Sequence, residues 1–126
     1  MRKIKFRAWD ESQKYMAIQG TPDLETIQSF FFHFGGCQLM QFTGLTDKNG
    51  VEIYEGDIVR KHNYRNGAEK IEDYIVVFDH DSFCLKTIKD NEIHDKCTLI
   101  SFGNLENGNL RKEEVIGNVY ENPELL

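Results

Sequence analysis

The chain has 126 residues and a formal net charge of −6, and 40 % of it is apolar, including nine Phe, five Tyr and one Trp. That length suits one domain able to bury roughly two-thirds of its unfolded surface without a metal or disulfide staple, and that apolar share excludes a disordered chain. The acidic balance works against long-range attraction to polyanions, and the longest apolar run, residues 74–78, is far short of the roughly 20 residues that span a bilayer as a helix.

The first segment, MRKIKFRAWD, is charged but has no apolar core, so it does not read as a signal peptide. Residues 2–9 alternate with period two. Ile4, Phe6 and Ala8 point one way and Lys3, Lys5, Arg7 and Trp9 the other, which predicts a half-buried strand with a charged, solvated outer face. Residues 10–13 suit a hairpin loop, and residues 14–19 a second, weaker strand. Residues 21–35 read two ways. Thr21 followed by Pro22 and Asp23 starts a helix, with Gly35 and Gly36 ending it, but Phe30-Phe31-Phe32 fits a strand equally well. The preferred reading is a short helix near 22–29, with the run after it left open.

Residues 39–43 are a strand. Asp47-Lys48-Asn49-Gly50 is a turn, because Asn49 and Gly50 tolerate positive φ and the Asp47 side chain can bond the turn amides. Residues 51–54 are short and extended, Glu55-Gly56-Asp57 turns again, and residues 58–62 leave as a strand. Residues 63–69 read as a polar loop containing Asn66-Gly67. Residues 70–78 give the strongest strand signal, because Tyr74, Ile75, Val76, Val77 and Phe78 are all β-formers and an unbroken run implies burial on both faces. Residues 79–82 turn it back into a strand over 83–88. Residues 90–96 are polar, residues 97–102 suit a helical turn or a short strand, and residues 103–109 are a loop by composition. The last strand, residues 115–120, is interrupted by Gly117, which marks a bulge of the kind small barrels use to close.

Short strands bounded by glycine turns, without repeated helices, predict a mainly β single domain over 1–126. Its barrel core is expected from 37–126, with the N-terminal hairpin within 1–36 packed on it and one or two short helices.

Three segments carry a family pattern: KIKFRAWD (3–10), LMQFTGLTDKNGVEIYEGDIV (39–59) and VIGNVYENPELL (115–126). They resemble the YopX family of phage and prophage proteins, the middle segment most specifically. The resemblance implies a small barrel of the Src-homology-3 type, a phage or prophage origin and hence a bacterial host cytoplasm. It implies no activity and carries over no catalytic residue. Residues 62–112 show no family pattern.

Candidate sites then rest on residue chemistry. Lys3, Lys5, Arg7 and Trp9, extended by Arg60, Lys61 and Arg65 if the strands are neighbours, could grip phosphates and stack a base. The plainer reading is a strand face opposite acidic neighbours with Trp9 in a cation–π contact. Glu52, Glu55 and Asp57 could hold a hard cation or serve as an acid/base pair. Here the plainer reading is turn chemistry, with Asp47, Asn49, Gly50, Gly56, Asp57 and Gly117 as structural turn residues. His80, Cys84, His94 and Cys97 lack the paired short spacing of a zinc site. Three cysteines without tight spacing, Cys37 included, read as reduced, partly buried thiols in a cytosolic protein.

No metal and no cofactor is expected. The expected function is a non-enzymatic binding module acting on itself or another protein, through the strand edges of an incompletely closed barrel. A nucleic-acid-binding barrel is the alternative, and a carboxylate hydrolase the second alternative. No membrane association is expected.

Overall fold

The computed structural model describes residues 4–20, 30–32, 36–79, 82–99, 105–106, 109–110 and 113–126. The strands are β1 (Phe6–Asp10), β2 (Tyr15–Ile18), β3 (Gln38–Thr46), β4 (Glu52–Tyr54), β5 (Asp57–Arg65), β6 (Ala68–Asp79), β7 (Ser82–Lys89), β8 (Glu92–Leu99), β9 (Leu105–Glu106), β10 (Asn109–Leu110) and β11 (Glu113–Asn118), followed by a 3-10 turn over Pro123–Leu125. The protein is therefore mainly β, as the glycine-punctuated pattern predicts. The expected helix near 22–29 lies outside the described residues, and residues 30–32 are helical rather than extended.

The strands form two sheets. One runs β2-β1-β3-β10-β9 with β4 paired to β3, and the other is the curled meander β11-β5-β6-β7-β8. The main core lies between them. Leu45 and Ile53 from the first sheet pack with Val59, Val76 and Leu85 from the second, and Tyr74 and Val115 close its margin. Cross-strand register builds this layer, since Val59 lies opposite Tyr74 and Val76 opposite Leu85, so alternate residues of three neighbouring strands present one apolar face. A smaller cluster of Ala8, Ala17 and Phe30, with Phe6 and Cys37 against it, covers the N-terminal strands.

Three sequence expectations need correction, and one segment without an assigned element is resolved. The charged, solvated face predicted for residues 2–9 does not exist over β1: Arg7, Ala8 and Trp9 are all buried. β1 is an inner strand, hydrogen-bonded to β2 on one edge and β3 on the other, and its faces are covered too: Ala8 packs with Ala17 and Phe30, and Arg7 and Trp9 lie against Asp57 and Tyr120. The polar loop at 63–69 is instead the tip of a long hairpin. Arg65 pairs with Ala68, and Asn66 and Gly67 sit at φ 53° and 79°, the two-residue turn whose twist matches paired strands. The polar stretch 90–96, to which the sequence alone assigns no element, holds a turn: Asp90 and Asn91, at φ 56° and 62°, lead the chain into β8, which pairs along β7. Finally, Cys84 is buried and disulfide-bonded rather than a reduced thiol, whereas Cys37 is free. Which cysteine is bonded depends on how the strands are laid side by side, and chain spacing does not reveal that.

The predicted bulge is found. The β11–β5 register shifts between Val115 and Gly117. A Cβ on Gly117 would stand 2.5 Å from Asn122 Oδ1, the oxygen that accepts the Asn118 amide, so the chain reversal after β11 needs the missing side chain.

Candidate functional site

Two buried carboxylates organise the region where the sheets meet. Asp47 is fully buried at the head of the β3–β4 turn. Its Oδ1 accepts the amides of Asn49 (2.8 Å) and Val51 (2.9 Å), and Gly50 N donates to the Asp47 carbonyl at 3.0 Å. These local bonds are what Asp-x-Asn-Gly chemistry predicts. The other oxygen acts at long range. Oδ2 accepts the amide of Val115 on β11 at 2.9 Å, and nearby Lys48 N donates to the Glu113 carbonyl at 3.1 Å. The turn thus continues the ladder of β11 and stitches one sheet to the other.

Asp57 does the same for β1. Its Oδ2 accepts the Tyr54 amide at 2.8 Å, closing the Glu55-Gly56 turn, and its Oδ1 accepts from Arg7 Nη2 at 2.7 Å. The Arg7 side chain is 8 % exposed and that of Asp57 2 %. Arg7 Nη2 also reaches the Glu55 carbonyl (3.3 Å), its guanidinium lies 4.7 Å over the Tyr54 ring, and its Nε is buried without a partner. Burial pushes the Asp57 carboxyl above the usual carboxylate range, and the Arg7 charge and the Tyr54 amide only partly offset it. The Tyr54 phenol is likewise pushed up, first by burial and then by Glu52, whose Oε1 accepts its hydrogen bond at 3.2 Å. The same Glu52 oxygen pairs with Lys5 Nζ at 2.9 Å.

Gly56 occupies the centre of this junction. Its N–H donates to the Val76 carbonyl (2.8 Å) and its carbonyl accepts from Val119 (3.0 Å). At φ 88°, with Met40 Sδ 3.1 Å from where a Cβ would stand, it does not tolerate a side chain well. Gly56→Ala is expected to lose about 1–2 kcal/mol, from the left-handed backbone alone, seen as a fall in the urea midpoint at unchanged slope.

The structure scatters the suspected cationic patch. Lys3 lies outside the described residues. Lys5 and Arg7 face Glu52 and Asp57 inside the fold, and Trp9 is buried, stacked on Tyr120 with its indole N–H donating to Glu11. Arg60 forms a two-pronged pair with Asp73 at 2.8 and 3.0 Å, and Lys61 stands 3.9 Å from Glu113. Each of these described members thus has a carboxylate or a ring against it. The acidic trio is equally divided: Asp57 serves Arg7 and Tyr54, Glu52 serves Lys5 and Tyr54, and Glu55 Oε1 lies 3.4 Å from Gln41 N. Among the described residues no three His, Cys, Asp or Glu side chains gather as a metal-ligand set. His80 and the Cys97 side chain lie outside the described residues. The partners that sequence reasoning misses are Tyr54, Asp73, Glu113 and Tyr120. Tyr54 alone carries a signal, standing three residues before Asp57 across a glycine turn.

The family described as YopX protein matches residues 5–126, nearly the whole chain. The protein belongs to the YopX family. Among solved structures, this YopX chain is similar to the crystal structure of protein EF1440 from Enterococcus faecalis, at 26 % identity and a TM-score of 0.61, over 100 % of this chain and 99 % of that one. A search of curated proteins finds no match. No helix among the described residues is long and apolar enough to cross a membrane.

Proposed function

We propose that this YopX protein is a non-enzymatic binding module that acts through protein–protein contacts or self-association, in the service of a phage or prophage within a bacterial host cell. The observation that carries the reading is an apolar stripe beyond the core, on the outer part of the β6–β8 sheet. Ile88 lies opposite Ile93, and Ile71 stands two residues from Asp73, the β6 partner of Ile88, on the same face. Ile71 is 54 % and Ile93 44 % exposed. A shallow groove of ≈ 360 Å³ lies along Ile71 and Ile88, with Lys70 and Lys89 on its rim. Exposed isoleucines bordered by charged residues are the composition of a contact surface. The same residues add nothing to the folded core, so changing them separates binding from stability.

The test is light scattering over a concentration series, with capture of phage- or host-derived proteins on the immobilised chain. Ile71→Glu and Ile93→Glu are expected to abolish association or capture by the native chain while leaving stability within about 0.5 kcal/mol of the native value. A chain that stays monomeric and retains nothing, or variants that associate as the native chain does, would overturn the reading. The nucleic-acid alternative draws no support from a cation set whose described members already face acids or rings.

A further inference from the structure

The chain carries an Asn-Gly pair in each of two described turns, and the structure treats the two pairs differently. Asn66-Gly67 forms the tip of the β5–β6 hairpin and Asn49-Gly50 the β3–β4 turn; all four residues are exposed. We propose that Asn66 is a site of spontaneous covalent modification, deamidation through a cyclic imide with Gly67, and that Asn49 is held back from the same reaction by Asp47.

The chemistry needs only water. The Gly67 backbone nitrogen attacks Asn66 Cγ. A C–N bond forms, the side-chain amide leaves as ammonia with the backbone proton, and water then opens the five-membered imide to aspartate or isoaspartate. Three requirements follow: a glycine after the asparagine so that no Cβ blocks the ring, a free attacking N–H, and freedom to swing the Asn side chain onto it.

Asn66-Gly67 meets all three. Nothing lies within 4 Å of the position a Gly67 Cβ would take. In a two-residue turn of this type the flanking pair, Arg65 with Ala68, makes the hydrogen bonds. Among the described residues Gly67 N has no partner. Asn49-Gly50 fails the second and third. Gly50 N is committed to the Asp47 carbonyl at 3.0 Å, and the amides on either side, Asn49 and Val51, are held by Asp47 Oδ1 at 2.8 and 2.9 Å. Swinging Asn49 onto Gly50 N would break bonds to a buried side chain that also anchors Val115. A third pair, Asn107-Gly108, lies outside the described residues.

The experiment is incubation of the folded, full-length chain in warm, mildly alkaline buffer. Proteolytic mass mapping and isoaspartate detection then follow each site, and ion exchange resolves the added negative charge. Asn66 is expected to convert severalfold faster than Asn49. In denaturant the gap should close, because both become flexible Asn-Gly peptides, and Gly67→Ala should slow Asn66 in either state. Equal rates at the two sites in the folded chain, or a gap that persists unchanged in denaturant, would overturn the proposal.

Discussion

Asp57→Asn is expected to cost about 3–5 kcal/mol, because it strands the Arg7 cation in the interior while preserving the shape of the site. Asparagine can keep its one oxygen on the Tyr54 amide, which turns its NH2 toward Arg7 Nη2, so the local turn survives and the loss reports the missing charge together with the missing acceptor for Arg7. Arg7→Met should cost a similar amount for the mirror reason, leaving a buried carboxylate with only backbone support. The double variant removes both charges and keeps an apolar stem against Tyr54, so it should return to within about 1–2 kcal/mol of the native chain. Urea midpoints for the four proteins decide it: a double variant as unstable as the sum of its parents would show that the two groups are not coupled. The pH dependence has its own sign. The folded Asp57 carboxyl holds its proton to higher pH than the unfolded chain does. Its contribution therefore makes stability fall as pH rises from the ordinary carboxylate value through the raised one, and then level off. Asp57→Asn should abolish that segment of the profile.

The second large effect is expected at Asp47. Asp47→Ala removes the acceptor for three amides, those of Asn49, Val51 and Val115. The first two are in an exposed turn and recover water, but the Val115 amide sits at the junction of the sheets. With about 1–3 kcal/mol for each buried donor left unsatisfied, and loosening of the turn besides, a loss of about 3–5 kcal/mol is expected. Asp47→Asn, which keeps one carbonyl oxygen, should lose less. Amide hydrogen exchange gives the sharper reading. The β11 amides should lose protection in Asp47→Ala before those of β6, because β11 is an edge strand held by β5 on one side and this turn on the other. Simultaneous loss across both strands would mean that the carboxylate supports the whole molecule and not the seam.

What can be read from residues alone is whatever chemistry is local. Asp47, Asn49 and Gly50 announce their turn because the acceptor, the donors and the positive φ lie within a few positions of one another. Gly117 announces its bulge for the same reason. Period-two alternation in residues 2–9 correctly indicates a strand but says nothing about how many sides of it are covered. Arg7 looks like a surface cation because its partner is 50 positions away. The first part of β8 is invisible because its polar residues have little strand preference of their own, and pairing with β7 makes them extended; only its end falls in the 97–102 run that reads as a helical turn or a short strand. The Asn66-Gly67 pair is recognisable as turn chemistry, yet the ladder reaching it from both sides depends on cross-strand partners such as Arg60 with Asp73. The suspected site dissolves for a related reason: charge type can be read from a sequence, but charge pairing cannot.

The reach of the Asp47 side chain to Val115, 68 positions along the chain, has a kinetic corollary. A bond closed over so long a loop forms late, since the entropy of joining its ends is lost before any other contact compensates. A chain without β11 can still join its sheets through Arg7 with Asp57 and through Gly56 with Val76, but it cannot close the seam that Asp47 makes with Val115. That seam is therefore the last part of the fold to close, and removal of β11 should yield a collapsed chain whose β3–β4 turn stays loose.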